Sequence, residues 1–259
     1  MSQSLSLVSW NVNSIKARGD HVVRFIKEHN PDILMLQELK GVDFPAQQFT
    51  DIGYQSEAVT QKSYNGVAII ARPDIDVIHA ALPGDETDEQ ARYLECDIAG
   101  LRVINIYLPN GNPVDTEKFP YKLAWMDRLI ARVKTLRAQG IPFVIGGDFN
   151  IIPADEDCHD PKAWTGDALF RPESLKRFKT LKNLGLSDAF RIYDNEAERY
   201  SFWDYQRGAW QRNNGIRIDH FLTSPQITDR LMGCEIDKEP RGWDRPSDHT
   251  PIVLRVKSL

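Results

Sequence analysis

Cysteine is scarce in this sequence. Three residues, Cys96, Cys158 and Cys234, are spread through 259 positions, with no CxxC pair and no zinc-like spacing. That argues against a disulfide frame or a structural zinc, and for reduced thiols in a cytoplasmic protein. No apolar run approaches the roughly 18 residues a membrane span needs, so no membrane association is expected. The opening Met-Ser-Gln-Ser-Leu shows no basic stretch followed by an apolar one, so no signal peptide is expected. Positive charge is not in excess either. Lys and Arg number 32 against 37 Asp and Glu, a net charge of −5. A protein that coats nucleic acid without specificity would carry the opposite sign. Low-complexity linkers, long charge blocks and short repeats are also lacking. One domain over residues 1–259 is the expectation, in a monomer.

What is present is an ordinary globular mixture, 41% hydrophobic and 27% charged. Short β-branched apolar runs at 5–12, 33–36, 67–71, 101–107, 143–145, 216–222 and 251–256 end in Gly, Pro, Asn or Asp and read as strands. Helical periodicity lies between them. Residues 21–30 follow a candidate cap at Asp20 and precede Pro31. Residues 118–139 place Leu123, Met126, Leu129, Ile130, Val133 and Leu136 at a 3.6 spacing before Gly140. Residues 173–184 end at Gly185, and 225–232 follow Ser224. The basic residues of the 118–139 helix are expected on its solvent face. Many strands and few helices predict an α/β sandwich of two packed sheets with helices outside. Residues 155–172 and 195–214 read as long irregular loops, a common seat of function.

The polar signal sits at strand ends: Trp10-Asn11-Val12-Asn13, Leu36-Gln37-Glu38, Tyr107-Leu108-Pro109-Asn110-Gly111, Gly146-Gly147-Asp148-Phe149-Asn150, Ile218-Asp219-His220 and Pro246-Ser247-Asp248-His249. If these strands share a rim, the groups converge. Carboxylates and amides without a Cys or His cluster suit a hard cation, Mg2+ or Mn2+, rather than zinc. Such an ion is typical of phosphoryl chemistry, with His and Asp available for proton transfer and charge stabilisation. Taken singly, each word also has a plain reading. Glu38 can be a solvated carboxylate, Asn11 and Asn150 turn residues, Asp148 a strand end, and His249 a satisfied core histidine.

Together and in this order, with Tyr64-Asn65-Gly66-Val67-Ala68 and Gly215-Ile216-Arg217-Ile218-Asp219, the words resemble the exonuclease III family, which includes the animal apurinic/apyrimidinic endonucleases. The resemblance runs from about residue 5 to residue 256. It implies a DNase I-like, four-layer fold of two mixed β-sheets flanked by helices. It also implies a Mg2+-dependent phosphodiesterase (Mn2+ substituting) of base-excision repair. The expected substrate is double-stranded DNA, cut 5′ to abasic sites or trimmed from 3′ ends, and the enzyme would meet the nucleoid during repair. Glu38 would be the principal metal ligand, with Asn11, Asp248, Asp148 and Asn150 near the ion. Asp148 would align or deprotonate the attacking water, with Asn150 beside it. His249, paired with Asp219, would face the phosphate, and Tyr107 and Asn110 would contact the phosphate or the leaving oxygen. Asn13 would be a further substrate contact.

Residues 199–217 interleave Arg199, Arg207, Arg212 and Arg217 with Phe202, Trp203, Tyr205 and Trp210. Such a mixture suits phosphate contact with a stacking surface, or else a half-buried aromatic loop. In the family this segment helps form a pocket for a flipped abasic sugar. Phe202 matches a pocket aromatic, Trp203 and Arg212 are further contacts, and Ile216 and Ile218 can line the pocket. Ile216 departs from the tryptophan of the animal enzymes. Lys62, Tyr64 and Asn65 form a second candidate DNA contact, or simply a hairpin turn. The 157–172 loop, with Asp157, Asp160 and Asp167, departs from the longer basic insertion of the enterobacterial enzyme and is expected to grip a backbone weakly. Two other functions share parts of this pattern. One is a binding protein that has lost catalysis, which the complete set of catalytic residues disfavours. The other is a lipid or inositol phosphoesterase, which would not need the 107–111 word or the aromatic–arginine loop.

Overall fold

The computed structural model describes residues 4–258. Its strands are β1 (Ser4–Asn11), β2 (Ile33–Gln37), β3 (Gln55–Val59), β4 (Val67–Ala71), β5 (Asp76–His79), β6 (Tyr93–Ile98), β7 (Leu101–Tyr107), β8 (Phe143–Asp148), β9 (Ser187–Asp188), β10 (Asp219–Thr223), β11 (Leu231–Ile236) and β12 (Ile252–Lys257). They form two six-stranded sheets, ordered β11-β12-β1-β2-β4-β3 and β5-β6-β7-β8-β10-β9. Each sheet is mixed: β1 runs parallel to β2 and β7 to β8, and the other pairs are antiparallel.

Alternation along the strands builds the layers. Leu5 and Leu7 of β1, Ile33 and Met35 of β2, Val67 and Ile69 of β4 and Leu254 of β12 face Leu101 and Val103 of β7, Val144 of β8 and Phe221 of β10 between the sheets. The opposite parity packs outward. Val8, Trp10, Leu34 and Leu36 meet Val22, Phe25 and Ile26 of helix α1 (Ile15–His29). Helix α2 (Ala46–Thr50) adds Phe49 to that layer. On the other side Ile104, Ile106, Phe143 and Ile145 meet Trp125, Met126, Leu129 and Val133 of helix α3 (Lys118–Ala138), with Phe178 and Leu181 of helix α5 (Pro172–Asn183) beside them; helix α4 (Pro161–Trp164) precedes α5. Helices α6 (Ala189–Tyr193) and α7 (Pro225–Thr228) are single turns. The result is the four-layer sandwich expected from the sequence.

Two helix boundaries differ from expectation by more than one residue. The first helix starts at Ile15, not residue 21, because Ser14 accepts the Ala17 N–H and caps it. The expected 225–232 helix stops at Thr228. Leu231 instead enters β11 and pairs with Val256 of β12, while Ser224 Oγ accepts the Phe143 N–H.

A buried polar pair latches the two sheets together. Asn105 of β7 donates to the carbonyls of Leu36 (2.9 Å) and Ala68 (2.8 Å) and accepts from Gln37 Nε2 at 2.8 Å. All of these groups are buried, so the pair fixes one sheet's register on the other. Asn105→Ala is expected to destabilise the fold by about 2 to 3 kcal/mol, since it leaves buried polar groups unpaired. Urea unfolding measures this, and a loss under about 0.5 kcal/mol would contradict the latch.

Candidate active site

The parity that builds the inter-sheet core continues to the strand ends. Asn11 on β1, Tyr107 on β7, Asp148 on β8 and Asp219 on β10 all point between the sheets, at one rim. Register brings them level: Tyr107 pairs with Asp148, and Asp148 with Asp219. Gly147 makes the last step of β8 possible. Its φ is +150° and a Cβ there would sit 2.0 Å from the Ile106 carbonyl oxygen. Glu38 follows β2 in a left-handed conformation, φ 55°. Backbone bonds hold this turn: Ser14 N–H to Glu38 O, Leu39 N–H to Gly66 O and Lys40 N–H to Asn65 O. A non-glycine residue at positive φ persists where its surroundings over-determine it. His249 is set by Ser247, whose Oγ donates to Asn11 O at 2.7 Å and accepts the His249 N–H at 3.2 Å, and by Trp10 Nε1 donating to His249 O.

Glu38, Asp148 and His249 each present a donor atom within 4.8 Å of the others. Asn11 Nδ2 bridges the carboxylates, 2.9 Å from Glu38 Oε1 and 3.0 Å from Asp148 Oδ2. His249 Nε2 lies 3.8 Å from Asp148 Oδ2, and its Nδ1 lies 2.9 Å from Asp219 Oδ2. Ser201 Oγ donates to that same Asp219 oxygen at 2.6 Å. Burial alone would lower the pKa of His249. Asp219 and Asp148 outweigh it and raise the ring to about 10, so the imidazole is charged at neutral pH. Asp148 is pushed up to about 7, by burial first and by Asp219 and Glu38 next, with His249 opposing. Burial also works against the charge on Glu38, yet Lys40, Asn11 and His249 hold it below its ordinary value. Burial and the charges of Glu38 and Asp148 raise Tyr107 well above a normal phenol, so it remains a hydroxyl donor. Lys40, which sequence reading passed over, places its ammonium 2.8 Å from Glu38 Oε2 and also bonds Asn13 Oδ1. Its only sequence signal was its place two residues after Glu38.

The amides form a relay along one wall. Asn150 gives its N–H to Asp148 Oδ1 and its Nδ2 to Leu108 O, and its Oδ1 accepts from Asn110 Nδ2 at 3.0 Å. Asn110 Oδ1 accepts from Asn112 Nδ2, which also reaches both oxygens of Asp167. The Asn150 amide is therefore spent within the protein. The oxygen of Asn11 likewise accepts the Asn13 N–H while its Nδ2 bonds both carboxylates, so its place between Glu38 and Asp148 is fixed from within the protein. Asn13 Nδ2 donates to Asp248 Oδ1 at 2.9 Å and leaves Asp248 half-exposed at the rim. Under the relay lies Lys122, fully buried on α3, where a solvent-facing lysine was expected. It lies four residues before Met126, on the same stripe as Leu129 and Val133, so its burial was legible in the 3.6 period.

Glu38, Tyr107, Asn110, Asp148, Asn150, Phe202, Ile216, Ile218, Asp248 and His249 line a cleft of about 300 Å³, together with Asn112, Trp164, Asp167 and Leu169. The Phe202 ring stands edge-on to His249, centroids 4.9 Å apart. A second groove of about 420 Å³ continues past Phe202, Ile216 and Trp164 to Arg207 and exposed Arg212. Lys62 and Tyr64 are exposed, away from this cleft's lining. Three expectations need correction. Trp203 is wholly buried with its Nε1 on Asn213, so its ring is scaffold and not a substrate contact. Asn65 is 6% exposed with its amide spent on Gln61 and Gln90; it supports the Glu38 turn instead. Arg217 is 1% exposed and paired with Asp157 and Asp188, so it cannot reach a phosphate. Asp157 also pairs with Arg191, while Asp160 caps α4 and Asp167 holds Asn112, so much of the loop's acidity is used internally.

The family model described as "Endonuclease/Exonuclease/phosphatase family" matches residues 8–249. Exodeoxyribonuclease III of Haemophilus influenzae is 33% identical, over 98% of this chain and all of that protein. A 3′-5′ exonuclease from Neisseria meningitidis superposes with a TM-score of 0.94 at 38% identity, covering 98% of this chain and 100% of its own. An AP endonuclease from Archaeoglobus fulgidus gives 0.91 at 34%, with the same coverage. Among the described residues no helix is long and apolar enough to cross a membrane. With sequence order, two-sheet architecture and rim geometry in agreement, the chain belongs to the endonuclease/exonuclease/phosphatase family, in its exonuclease III group.

Proposed function

We propose that this chain is a Mg2+-dependent DNA phosphodiesterase of base-excision repair, with Mn2+ able to substitute. It acts as a monomer, cuts the backbone of double-stranded DNA 5′ to abasic sites, and removes nucleotides or blocking groups from 3′ ends. The observation that carries this reading is the meeting of Glu38, Asp148 and a charged His249 in one cleft walled by Phe202 and Ile216. The similarity to a 3′-5′ exonuclease and to an AP endonuclease supports DNA as the substrate.

The donor chemistry fits a hard divalent cation. Glu38 is ionised and partly open, its charge already balanced by the Lys40 ammonium; Asp148 adds an oxygen beside it and Asp248 lines the same cleft. His249 is committed to Asp219 and charged, so it fits the phosphate better than the metal. Glu38 would hold the ion, with Asp148 and Asp248 near it; when bound, Mg2+ supplies charge to offset that of a phosphate under attack. The chain's own groups do the rest. Asp148, freed of its proton, aligns a water and accepts a proton from it. The imidazolium of His249 donates to a non-bridging oxygen. Tyr107 and Asn110 orient the phosphate. Phe202, Ile216 and Ile218 offer an apolar recess to a sugar without a base, and such a nucleotide has least stacking to lose when it turns out.

The test is an end-labelled duplex with one abasic-site analogue, run beside intact, nicked and 3′-phosphate duplexes. Cleavage 5′ to the lesion and 3′-end trimming are expected, both abolished by EDTA and restored by Mg2+. Full activity in EDTA, or turnover of a lipid headgroup with none of DNA, would overturn the proposal.

A further inference from the structure

Lys122 stands where α3 meets the floor of the cleft. Its side chain is fully buried and shares the apolar stripe of Met126, Leu129 and Val133. At such a position a leucine or methionine would pack without desolvating an amine. Among the described residues no carboxylate closes an ion pair on it. Its hydrogen bonds go to two backbone carbonyls, Asn150 O at 2.6 Å and Asn110 O at 3.1 Å. Both lie just beyond strand ends, where no ladder partner serves them. The chain is shaped around the lysine stem. Gly111 turns over it at φ +89°, and a Cβ there would come within 2.6 Å of Lys122 Cδ. The same two residues, Asn110 and Asn150, are bonded to each other by their side chains on the cleft side of the loops.

We infer that Lys122 is a positioning residue for the reaction: it pins the 108–113 and 149–152 loops from beneath at a fixed separation, which sets Asn110 above for the phosphate and Asn150 against Asp148. The inference rests on the nuclease reading for its kinetic consequence, but the pinning itself is independent of it. Either protonation state of the amine donates hydrogen bonds, so the link does not depend on charge. An apolar side chain of the same length would fill the space and release both carbonyls.

Lys122→Met, with Gly111→Ala as a second approach, tests this. In Lys122→Met, kcat on an abasic duplex is expected to fall about 30- to 100-fold with KM within about threefold, the signature of misplaced groups rather than lost binding. Combining it with Asn110→Ala should add little, since both break one unit. Hydrogen exchange read by mass spectrometry gives the readout that needs no activity. Amides of both loops should exchange about tenfold faster in Lys122→Met, with the strands unchanged. Gly111→Ala, which displaces the lysine stem, should speed exchange in the 149–152 loop as well as in its own. Unchanged exchange in 149–152 in both variants, kcat of Lys122→Met within threefold of the parent, or strictly additive losses would each overturn the inference. Variants that exchange as described, from a parent protein that cuts no DNA, would sink the nuclease reading and leave the pinning intact.

Discussion

Asp148→Asn is expected to lower kcat about 1,000- to 10,000-fold, the range for removing an aligned proton acceptor from a charge-stabilising site. The expectation follows from what surrounds the carboxylate. Its oxygens accept from Asn11 Nδ2 and the Asn150 N–H and face the His249 ring. An asparagine can keep only one of these faces, and its NH2 then meets the Asn11 NH2. The folding side runs the other way. Burial raises the Asp148 pKa to about 7, so at pH 8 the ionised group costs the native state free energy that the neutral amide does not. The midpoint of thermal unfolding at pH 8 should therefore hold or rise while turnover collapses. Turnover within tenfold of the parent in single-turnover assays would remove Asp148 from the chemistry.

Asp219→Asn should cause a loss that grows with pH. His249 keeps its charge up to about pH 10 because Asp219 and Asp148 outweigh its burial. With an amide at 219, the carbonyl oxygen can still take the place that meets both Ser201 Oγ and His249 Nδ1, but the carboxylate charge that held the imidazolium is gone, which favours the neutral ring. If the ring returns toward an ordinary pKa of about 6.5, about 1% is charged at pH 8.5 and about three-quarters at pH 6. Turnover should thus drop about 100-fold at pH 8.5 and about twofold or less at pH 6. A uniform loss across that range would assign Asp219 a purely structural role. The linked stability has the same sign. A raised folded pKa stabilises below about pH 6.5, and that contribution is lost as pH rises through about 10, so the variant should flatten the alkaline fall in thermal midpoint.

The apolar runs visible in the sequence correspond to β1, β2, β4, β7, β8, β10 and β12, all interior strands of the two sheets. Interior strands are covered on both faces and read as continuous hydrophobic segments. The edge strands β3, β5, β9 and β11 are short or half-exposed and leave no such run. β6 is interior, but Glu95 and Asp97 interrupt it, and Arg102 and Arg132 neutralise them only through pairing that no local pattern reveals. The rim residues were legible for the same reason as the interior strands: polar words abruptly ending apolar runs. The fates of Trp203, Asn65 and Arg217 were not. An arginine two residues before Asp219 looks identical in sequence whether it meets DNA or Asp157 and Asp188. Lys122 was legible as well: residue type alone points it to solvent, but its spacing from Met126, Leu129 and Val133 places it in the core.

The cleft draws on both sheets. Asn11, Glu38, Asp248 and His249 come with the first, Tyr107, Asp148 and Asp219 with the second, and the Asn105–Gln37 latch sets their alignment. β1 is itself completed by β12, the last strand of the chain. A growing polypeptide therefore lacks a complete cleft until β12 has been made and paired with β1. Two pieces that each carry one sheet's share of the cleft should be inert apart and regain cutting when they dock along this seam.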